Sequence, residues 1–419
     1  MTTASPAVVV QKYGGSSVAT PEMISAIAER IARSLKVQPR IVVVLSAMGT
    51  TTDELVSLAH SVAKNPSGRE MDLLLATGEQ VSVSVLGLAL QDRGIPAISL
   101  TATQCGIRTD DAYNIARIES IDTKRIVEEL DRGRVVIVTG FQGLTRDHEV
   151  TTLGRGGSDI TGAALAAALG ASSCDICTDV DGVLSADPNK VLNTTQWSEI
   201  SYEEAIEMAS SGAKVLHPRA AEVCMAYDVP IHVRSSFHDL EGTWIRGESD
   251  MVMEQAEVVG VSSEKEIAKI TLTDVPDRPG VAAQVFQELA EANICVRLII
   301  QGASTEKVGR ITFVVDDEYV SAVRGLLAHW KKDGLAREAL IDTDVSKISI
   351  VGSRLASTPG LAGRMFAVLA REGINIDCIS SSEMKIACVI SEQYVDRAVQ
   401  SVHDEFFPSN GATEQNVNN

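Results

Sequence analysis

The chain has 419 residues, a formal net charge of −19, and 45% hydrophobic but only 4% aromatic residues. Such a length exceeds one ordinary core and suits two to four domains, and the acidic balance argues against a nucleic-acid partner, which would want a basic face. No apolar run is expected to cross a bilayer, residues 1–11 lack the basic and apolar regions of a secretory signal, and a cytoplasmic chain with no membrane partner is therefore expected.

The first 245 residues alternate strand and helix patterns. Residues 8–11 read as a strand running into a glycine turn. Apolar residues at helical spacing mark 21–35 as a helix, with Thr20 as N-cap and Pro21 at its first position. The β-branched run 40–45 reads as a strand, 52–63 and 71–91 as helices, and 96–100 and 135–139 as strands. An Ala-rich helix over 159–169 follows, then a strand over 173–178, helices over 202–210 and 218–227, and a strand over 230–234. This alternation implies a mostly parallel sheet with helices on both faces. The seven cysteines sit mostly in apolar stretches, as small core residues do in a reducing compartment. Cys174 and Cys177 form a C-x-x-C pair without a second pair or nearby histidines, so they read as structural and no protein metal site is expected.

Residues 235–257 hold Gly242, Gly247 and a cluster of acids and read as a connecting segment. Beyond it Asp277-Arg278-Pro279-Gly280 recurs 80 residues later as Ser357-Thr358-Pro359-Gly360. The same offset aligns Phe286 with Phe366, Leu289 with Leu369 and Ile294 with Ile374. A long period seen twice implies two copies of one small domain, each reading strand, Pro-Gly turn, helix, strand, strand, helix. The expected division is a catalytic domain over 1–245, a linker over 246–265, the two copies over 266–345 and 346–407, and a disordered Asn/Gly-rich tail over 408–419.

Two glycine loops carry the chemistry. Lys12-Tyr13-Gly14-Gly15-Ser16-Ser17 follows the first strand. Its glycines let the backbone turn sharply toward a ligand, and Lys12 adds positive charge for a transferring phosphoryl group. The lysine precedes the glycines, so this is not a Walker A loop. Gly154-Arg155-Gly156-Gly157-Ser158-Asp159 opens a helix, whose N-terminus is an anion site, and the Arg155 fork suits a carboxylate. Ligands of an open α/β sheet collect beyond the carboxyl ends of its strands, where both loops would meet. Thr178-Asp179-Val180-Asp181-Gly182-Val183 also follows a strand, with Asp181 read as a turn former. In Gly212-Ala213-Lys214-Val215-Leu216-His217-Pro218, His217 reads as a helix-entry residue rather than a base.

These loops, with Ser46-Ala47-Met48-Gly49, Thr77-Gly78-Glu79 and Gly140-Phe141-Gln142-Gly143, stand in the order found in aspartate kinases, which the chain resembles over nearly its whole length. The resemblance implies an α/β protein with the amino-acid kinase fold, three layers around a mainly parallel sheet, followed by two ferredoxin-like βαββαβ ACT domains. It implies ATP-dependent phosphorylation of the L-aspartate β-carboxylate, with Mg²⁺ bridging phosphates. Lys12 would hold the transferred phosphate and Asp159 would organise that lysine. Glu79 would take the substrate ammonium and Arg155 its carboxylate, with Ser46, Thr52, Asp53 and Ser158 lining the aspartate pocket. Lys12, Tyr13, Gly14, Gly15, Thr178, Asp179, Lys214 and Val215 would contact the nucleotide. A lysine or threonine effector would meet Asp277, Pro279, Gly280 and Gln301 in the first copy and Asn375, Ile376, Ser382 and Glu383 in the second. By the repeat offset Cys295 and Arg297 match Asn375 and Asp377, and feedback control is expected to be altered accordingly. A homo-oligomer is expected, or an assembly of catalytic and regulatory subunits if Met251 or Met253 serves as an internal start. Of the alternatives, another kinase of the same fold acting on glutamate, acetylglutamate or UMP is opposed by the C-terminal pair and the Lys-Tyr-Gly-Gly-Ser-Ser loop, and a non-catalytic amino-acid-binding protein is opposed by the intact Lys12, Glu79, Arg155 and Asp159 set.

Overall fold

The β-branched runs of the first half become the centre of a parallel sheet. In the computed structural model, which describes residues 7–213, 215–247, 256–302 and 308–408, the strands and helices of the first part are β1 (Val9–Tyr13), α1 (Pro21–Ser34), β2 (Ile41–Leu45), α2 (Thr51–Val62), α3 (Gly68–Leu75), α4 (Thr77–Asp92), β3 (Ala97–Leu100), β4 (Ile107–Thr109), β5 (Ile118–Ile121), α5 (Lys124–Asp131), β6 (Val135–Thr139), β7 (Gln142–Leu144), β8 (Val150–Thr152), α6 (Gly157–Leu169), β9 (Ser173–Thr178), β10 (Glu199–Ser201), α7 (Tyr202–Ser210), α8 (Pro218–Ala226), β11 (Ile231–Ser235) and β12 (Thr243–Arg246). Lys214, Met251, Met253 and the tail from 409 onward lie outside the described residues.

The main sheet has the order β10-β12-β11-β9-β1-β2-β6-β3. All its pairings are parallel except that of β11 with β12. β2 and β6 are buried along their whole length, as their unbroken β-branched runs require. On one face Ile24, Ile27 and Ile31 of α1 and Val83, Leu86 and Leu90 of α4 pack on Ile41, Val43, Leu45 and Ile137. On the other face α6 comes so close that a Cβ at Gly162 would sit 3.3 Å from Lys12 Cβ and 3.7 Å from Cys174 Sγ. Cys177 belongs to the α1 side, so the C-x-x-C pair points to opposite faces of β9.

Three readings of the sequence need correction here. A single helix over 71–91 is instead α3 and α4, parted at Ala76, whose carbonyl accepts from Gln142 Nε2 at 3.0 Å. Together Gly68–Asp92 is long and apolar enough to span a bilayer by those measures, with a mean hydropathy of 1.6, but half of that window is buried inside the protein, as befits a core helix. Strands β5-β4-β7-β8 form a second, four-stranded sheet in a region where no strand was expected.

By contacts the chain divides into two units, Met1–Val183 with Gln196–Ser210 and Lys214–Glu254, and Leu184–Thr195 with Ser211–Ala213 and Gln255–Asn419. The second holds β13 (Gly260–Pro276), α9 (Val281–Glu291), β14 (Leu298–Gly302), β15 (Val308–Asp316), α10 (Val320–Lys332), β16 (Glu338–Val351), α11 (Leu361–Arg371), β17 (Cys378–Ser381), β18 (Lys385–Ser391) and α12 (Val395–Phe406). Its six-stranded sheet has the order β14-β15-β13-β16-β18-β17. The two repeats share it by exchanging strand ends. Residues 267–276 of β13 pair with β15, while residues 260–264 pair only with the second half of β16, which itself pairs with β18. The last part of the expected linker is therefore the fourth strand of the second copy, and its apolar Val258 and Val261 enter that copy's core with Leu361, Met365 and Val399. In each copy the Pro-Gly turn places a left-handed glycine at the helix start, with φ 97° at Gly280 and 94° at Gly360. The segment Leu184–Thr195 joins the same unit: Ala186 and Val191 enter the second copy's core, and Ser185 Oγ lies 2.8 Å from Nε2 of the buried His403.

Candidate active site

The carboxyl end of β1 delivers Lys12, and the N-terminus of α6 delivers Asp159. Lys12 Nζ and Asp159 Oδ1 are 2.6 Å apart, with the two side chains 12% and 10% exposed. At that depth both long-chain freedom and solvent screening are small, so the cation is held in one direction. The other Asp159 oxygen accepts from the His217 backbone N–H at 3.1 Å. His217 caps α8, its Nδ1 accepting from the Arg219 N–H at 3.3 Å, and burial pulls its pKa down against the pull of Asp159. It is a helix-entry residue, as read from the sequence.

The first glycine loop is knitted to the loop after β2. Ser46 N–H donates to the Tyr13 carbonyl at 3.2 Å and Gly49 N–H to the Gly15 carbonyl at 3.1 Å. A Cβ at Gly15 would sit 2.9 Å from the Ala47 carbonyl oxygen, and one at Gly14 would lie 3.4 Å from Lys12 Nζ. At Gly15, against a backbone oxygen, only glycine allows this approach. Ala47 N–H in turn donates to Glu79 Oε1 at 3.0 Å. Glu79 is 2% exposed, its Oε2 is buried without a protein partner, and burial pushes its pKa up to about 7 against the hydrogen bonds from the backbone. An orphaned carboxylate oxygen in an apolar setting calls for a cationic donor.

The second loop sits beside the first. Gly154 and Gly156 adopt left-handed φ of 77° and 67°, and a Cβ at Gly156 would collide with the His217 ring. Ser158 is buried, its Oγ 2.6 Å from where a Gly140 Cβ would lie, beside the Leu45 carbonyl. Arg155 is exposed, four residues before Asp159. Lys12, Ser46, Glu79, Ser158 and Asp159 are thus linked by direct contacts or close neighbours at the carboxyl edge of β9-β1-β2-β6, with Thr52 half-buried and Asp53 exposed in the first turn of α2. At the end of β9, Thr178 Oγ1 donates to Asp179 at 3.1 Å, and Asp181 binds His238 Nδ1 at 2.8 Å, a structural use. Val215 is half-buried; its neighbour Lys214 is outside the described residues.

Sequence reasoning missed Asp72 and Arg219. Asp72 is wholly buried in α3, and Arg219 donates to the carbonyls of Leu153 at 3.2 Å and Ala116 at 3.3 Å. Both brace the second loop from below. Neither carries a sequence signal beyond its position among apolar neighbours.

Among the effector candidates, Asp277, Pro279, Gly280, Gln301, Asn375, Ser382 and Glu383 are exposed and Ile376 is half-buried. Strand directions put Asp277–Gly280 and Gln301 at one end of the sheet and Ser382 and Glu383 at the other, so one chain does not bring the two groups together. The repeat-related Arg297 and Asp377 are both engaged: Arg297 forks onto Asp316 at 2.5 and 3.0 Å and reaches Glu264 at 3.3 Å, while Asp377 pairs with Lys269.

A parallel sheet with two glycine loops and a buried Lys–Asp pair at its carboxyl edge has the build of a phosphoryl-transfer enzyme, and residues 7–235 match the amino acid kinase family. Residues 269–327 and 348–406 match ACT domains. The chain is 46% identical over 400 residues to aspartokinase 2 of Bacillus subtilis, covering 95% of this chain and 97% of that one. It is 45% identical over 406 residues to aspartokinase of Thermus thermophilus, covering 96% and 98%. Crystalline aspartokinase III of E. coli in complex with aspartate and ADP superposes with a TM-score of 0.81 at 27% identity, covering 96% of this chain and all of that one. The chain belongs to the aspartokinases.

Proposed function

We propose that the protein transfers the γ-phosphoryl group of ATP to the β-carboxylate of L-aspartate, giving 4-phospho-L-aspartate. The observation that carries this reading is the buried, unpartnered Glu79 Oε2, tied through the Ala47 N–H to the loop that also binds Tyr13 and Gly15, together with the Lys12–Asp159 pair. Glu79 receives the substrate ammonium and Arg155 the α-carboxylate, with Ser46, Thr52, Asp53 and Ser158 around the body of the amino acid. Lys12, aimed by Asp159, neutralises charge on the transferring group, and Tyr13, Gly14, Gly15, Thr178, Asp179, Lys214 and Val215 border the nucleotide. The β-carboxylate is already an anion, so no base is required, and positioning and charge neutralisation carry the reaction. Among the described residues no group of three or more His, Cys, Asp or Glu side chains could hold a metal. The described residues therefore offer no resident Mg²⁺ cage, and the ion would be brought by the nucleotide phosphates.

The test is a hydroxylamine trap for acyl phosphate with ATP and a panel of amino acids. Hydroxamate with aspartate and none with glutamate is expected; the reverse would overturn the reading. Within that assay Arg155→Lys is expected to raise the KM for aspartate roughly tenfold with little change in the KM for ATP, because one ammonium cannot copy a bidentate fork. An unchanged KM for aspartate would remove Arg155 from the pocket.

The catalytic part lies within 1–245, and the sensing part is 266–407 completed by the strand residues 260–264 and by Leu184–Thr195, working in the cytoplasm as a homo-oligomer or with a separate regulatory subunit. Exposed effector groups at opposite ends of one sheet support pairing with a second sheet. Cys295 stands where the second copy has the Asn375 amide, and Arg297 is tied to Asp316 and Glu264, so lysine and threonine are not expected both to bind tightly. Calorimetry with each amino acid decides this, and tight binding of both would end the idea.

A further inference from the structure

The carboxylate of Asp72 is wholly buried in α3 and is used entirely on backbone and one hydroxyl. It accepts the Asn114 N–H at 3.1 Å on Oδ1 and 2.9 Å on Oδ2, the Thr152 N–H at 2.8 Å on Oδ2, and the Thr152 hydroxyl at 2.6 Å on Oδ1. Donors alone face it, as an ionised acceptor requires. Each of the three segments that it joins leads to the candidate site.

Thr152 ends β8, and two residues on lies Gly154, then Arg155. Asn114 holds a left-handed φ of 66°, rare for a residue with a side chain, and its carbonyl oxygen would lie 2.9 Å from a Cβ at Gly154. The Ala116 N–H donates to the Thr152 carbonyl at 2.9 Å, closing the clamp. Asp72's own helix, α3, runs through Ala76 into the first turn of α4, where Glu79 sits.

We infer that Asp72 is a positioning residue that sets the separation between the two grips on the amino-acid substrate, the Glu79 carboxylate and the Arg155 guanidinium, by pinning the chain before Arg155 to the helix before Glu79. This rests on the reading of Glu79 and Arg155 given above. Asp72 touches neither substrate. Its loss would let the Arg155 loop drift against a fixed Glu79, which weakens aspartate binding and leaves the nucleotide side, on β1 and β9, as it was.

The experiment measures KM for aspartate and for ATP separately, with thermal melts, on Asp72→Asn, Thr152→Val, Thr152→Ser and Arg155→Lys in the full chain. A hydrogen bond to a charged group is worth enough to expect roughly a tenfold rise in KM for aspartate in Thr152→Val. Asp72→Asn should exceed it, since an amide NH₂ cannot accept, and Thr152→Ser should restore the wild-type value. KM for ATP should stay within about twofold throughout. A purely structural carboxylate would lower the melting temperature and leave both KM values alone, or raise both together; either result overturns the inference. If Arg155→Lys raises the KM for aspartate while Thr152→Val and Asp72→Asn do not, the inference fails and the substrate reading stands. If Arg155→Lys itself changes nothing, the substrate reading falls and takes the inference with it.

Discussion

Lys12→Ala is expected to lower kcat by roughly 10²–10³, the typical loss of one preorganised charge donor in a water-poor site. The magnitude follows from the geometry. Nζ is 2.6 Å from Asp159 Oδ1 and nearly enclosed, so it need not reorganise when charge moves between the phosphoryl oxygens. A flexible surface lysine at the same distance would be screened and worth far less. The loss should appear in kcat rather than in the KM for aspartate, whose ends are held elsewhere. Asp159→Asn should also slow turnover, because the lysine then lacks its anchor, and the double variant should lose less than the product of the two single losses, since the residues act as one unit. Turnover of Lys12→Ala within a few-fold of the parent protein in the hydroxamate assay would refute the role.

The strands that form the middle of the main sheet were legible because burial on both faces demands unbroken β-branched runs, as in 41–45 and 135–139. The helix at 159–169 was legible from its alanines and its glycine-rich start. The small β5-β4-β7-β8 sheet was not, because its strands are three or four residues long and β5 is nowhere fully buried, so no period can build up. The 80-residue offset announced two copies of one domain but could not announce that residues 260–264 complete the second copy, since pairing over such separations leaves no local trace. The same contrast holds at the site. Lys12 and Asp159 sit in glycine-rich loops whose composition already demands a ligand, whereas Asp72 looks in sequence like any acid on an amphipathic helix, and only its three donors set it apart.

Glu79→Gln is expected to lower kcat/KM for aspartate by roughly 10²-fold and to remove a pH dependence that the parent protein shows. Truncating one member of a buried ion pair typically costs about 2–5 kcal/mol, much of it from the charge left without a partner, and here that charge is the substrate ammonium. In the free protein burial raises the Glu79 pKa from its ordinary 4.5 to about 7. Below pH 7 the carboxyl is therefore neutral and must lose its proton before it can pair with the ammonium, which stays charged over this range. The kcat/KM for aspartate should fall about tenfold per pH unit below 7 and level off above it, because this ratio reports groups of the free enzyme. The stability of the free protein carries the opposite sign. Between pH 4.5 and 7 the folded state binds a proton that the unfolded state does not, so folding stability declines as pH rises through that window and changes no further above it. Aspartate offsets this decline by supplying the missing cation. Glutamine cannot titrate, so the variant should show a flat contribution in both measurements. A parent and variant with superimposable pH profiles for kcat/KM would show that the buried carboxylate never meets the substrate, and Glu79 would then be a structural acid spent on the Ala47 N–H alone.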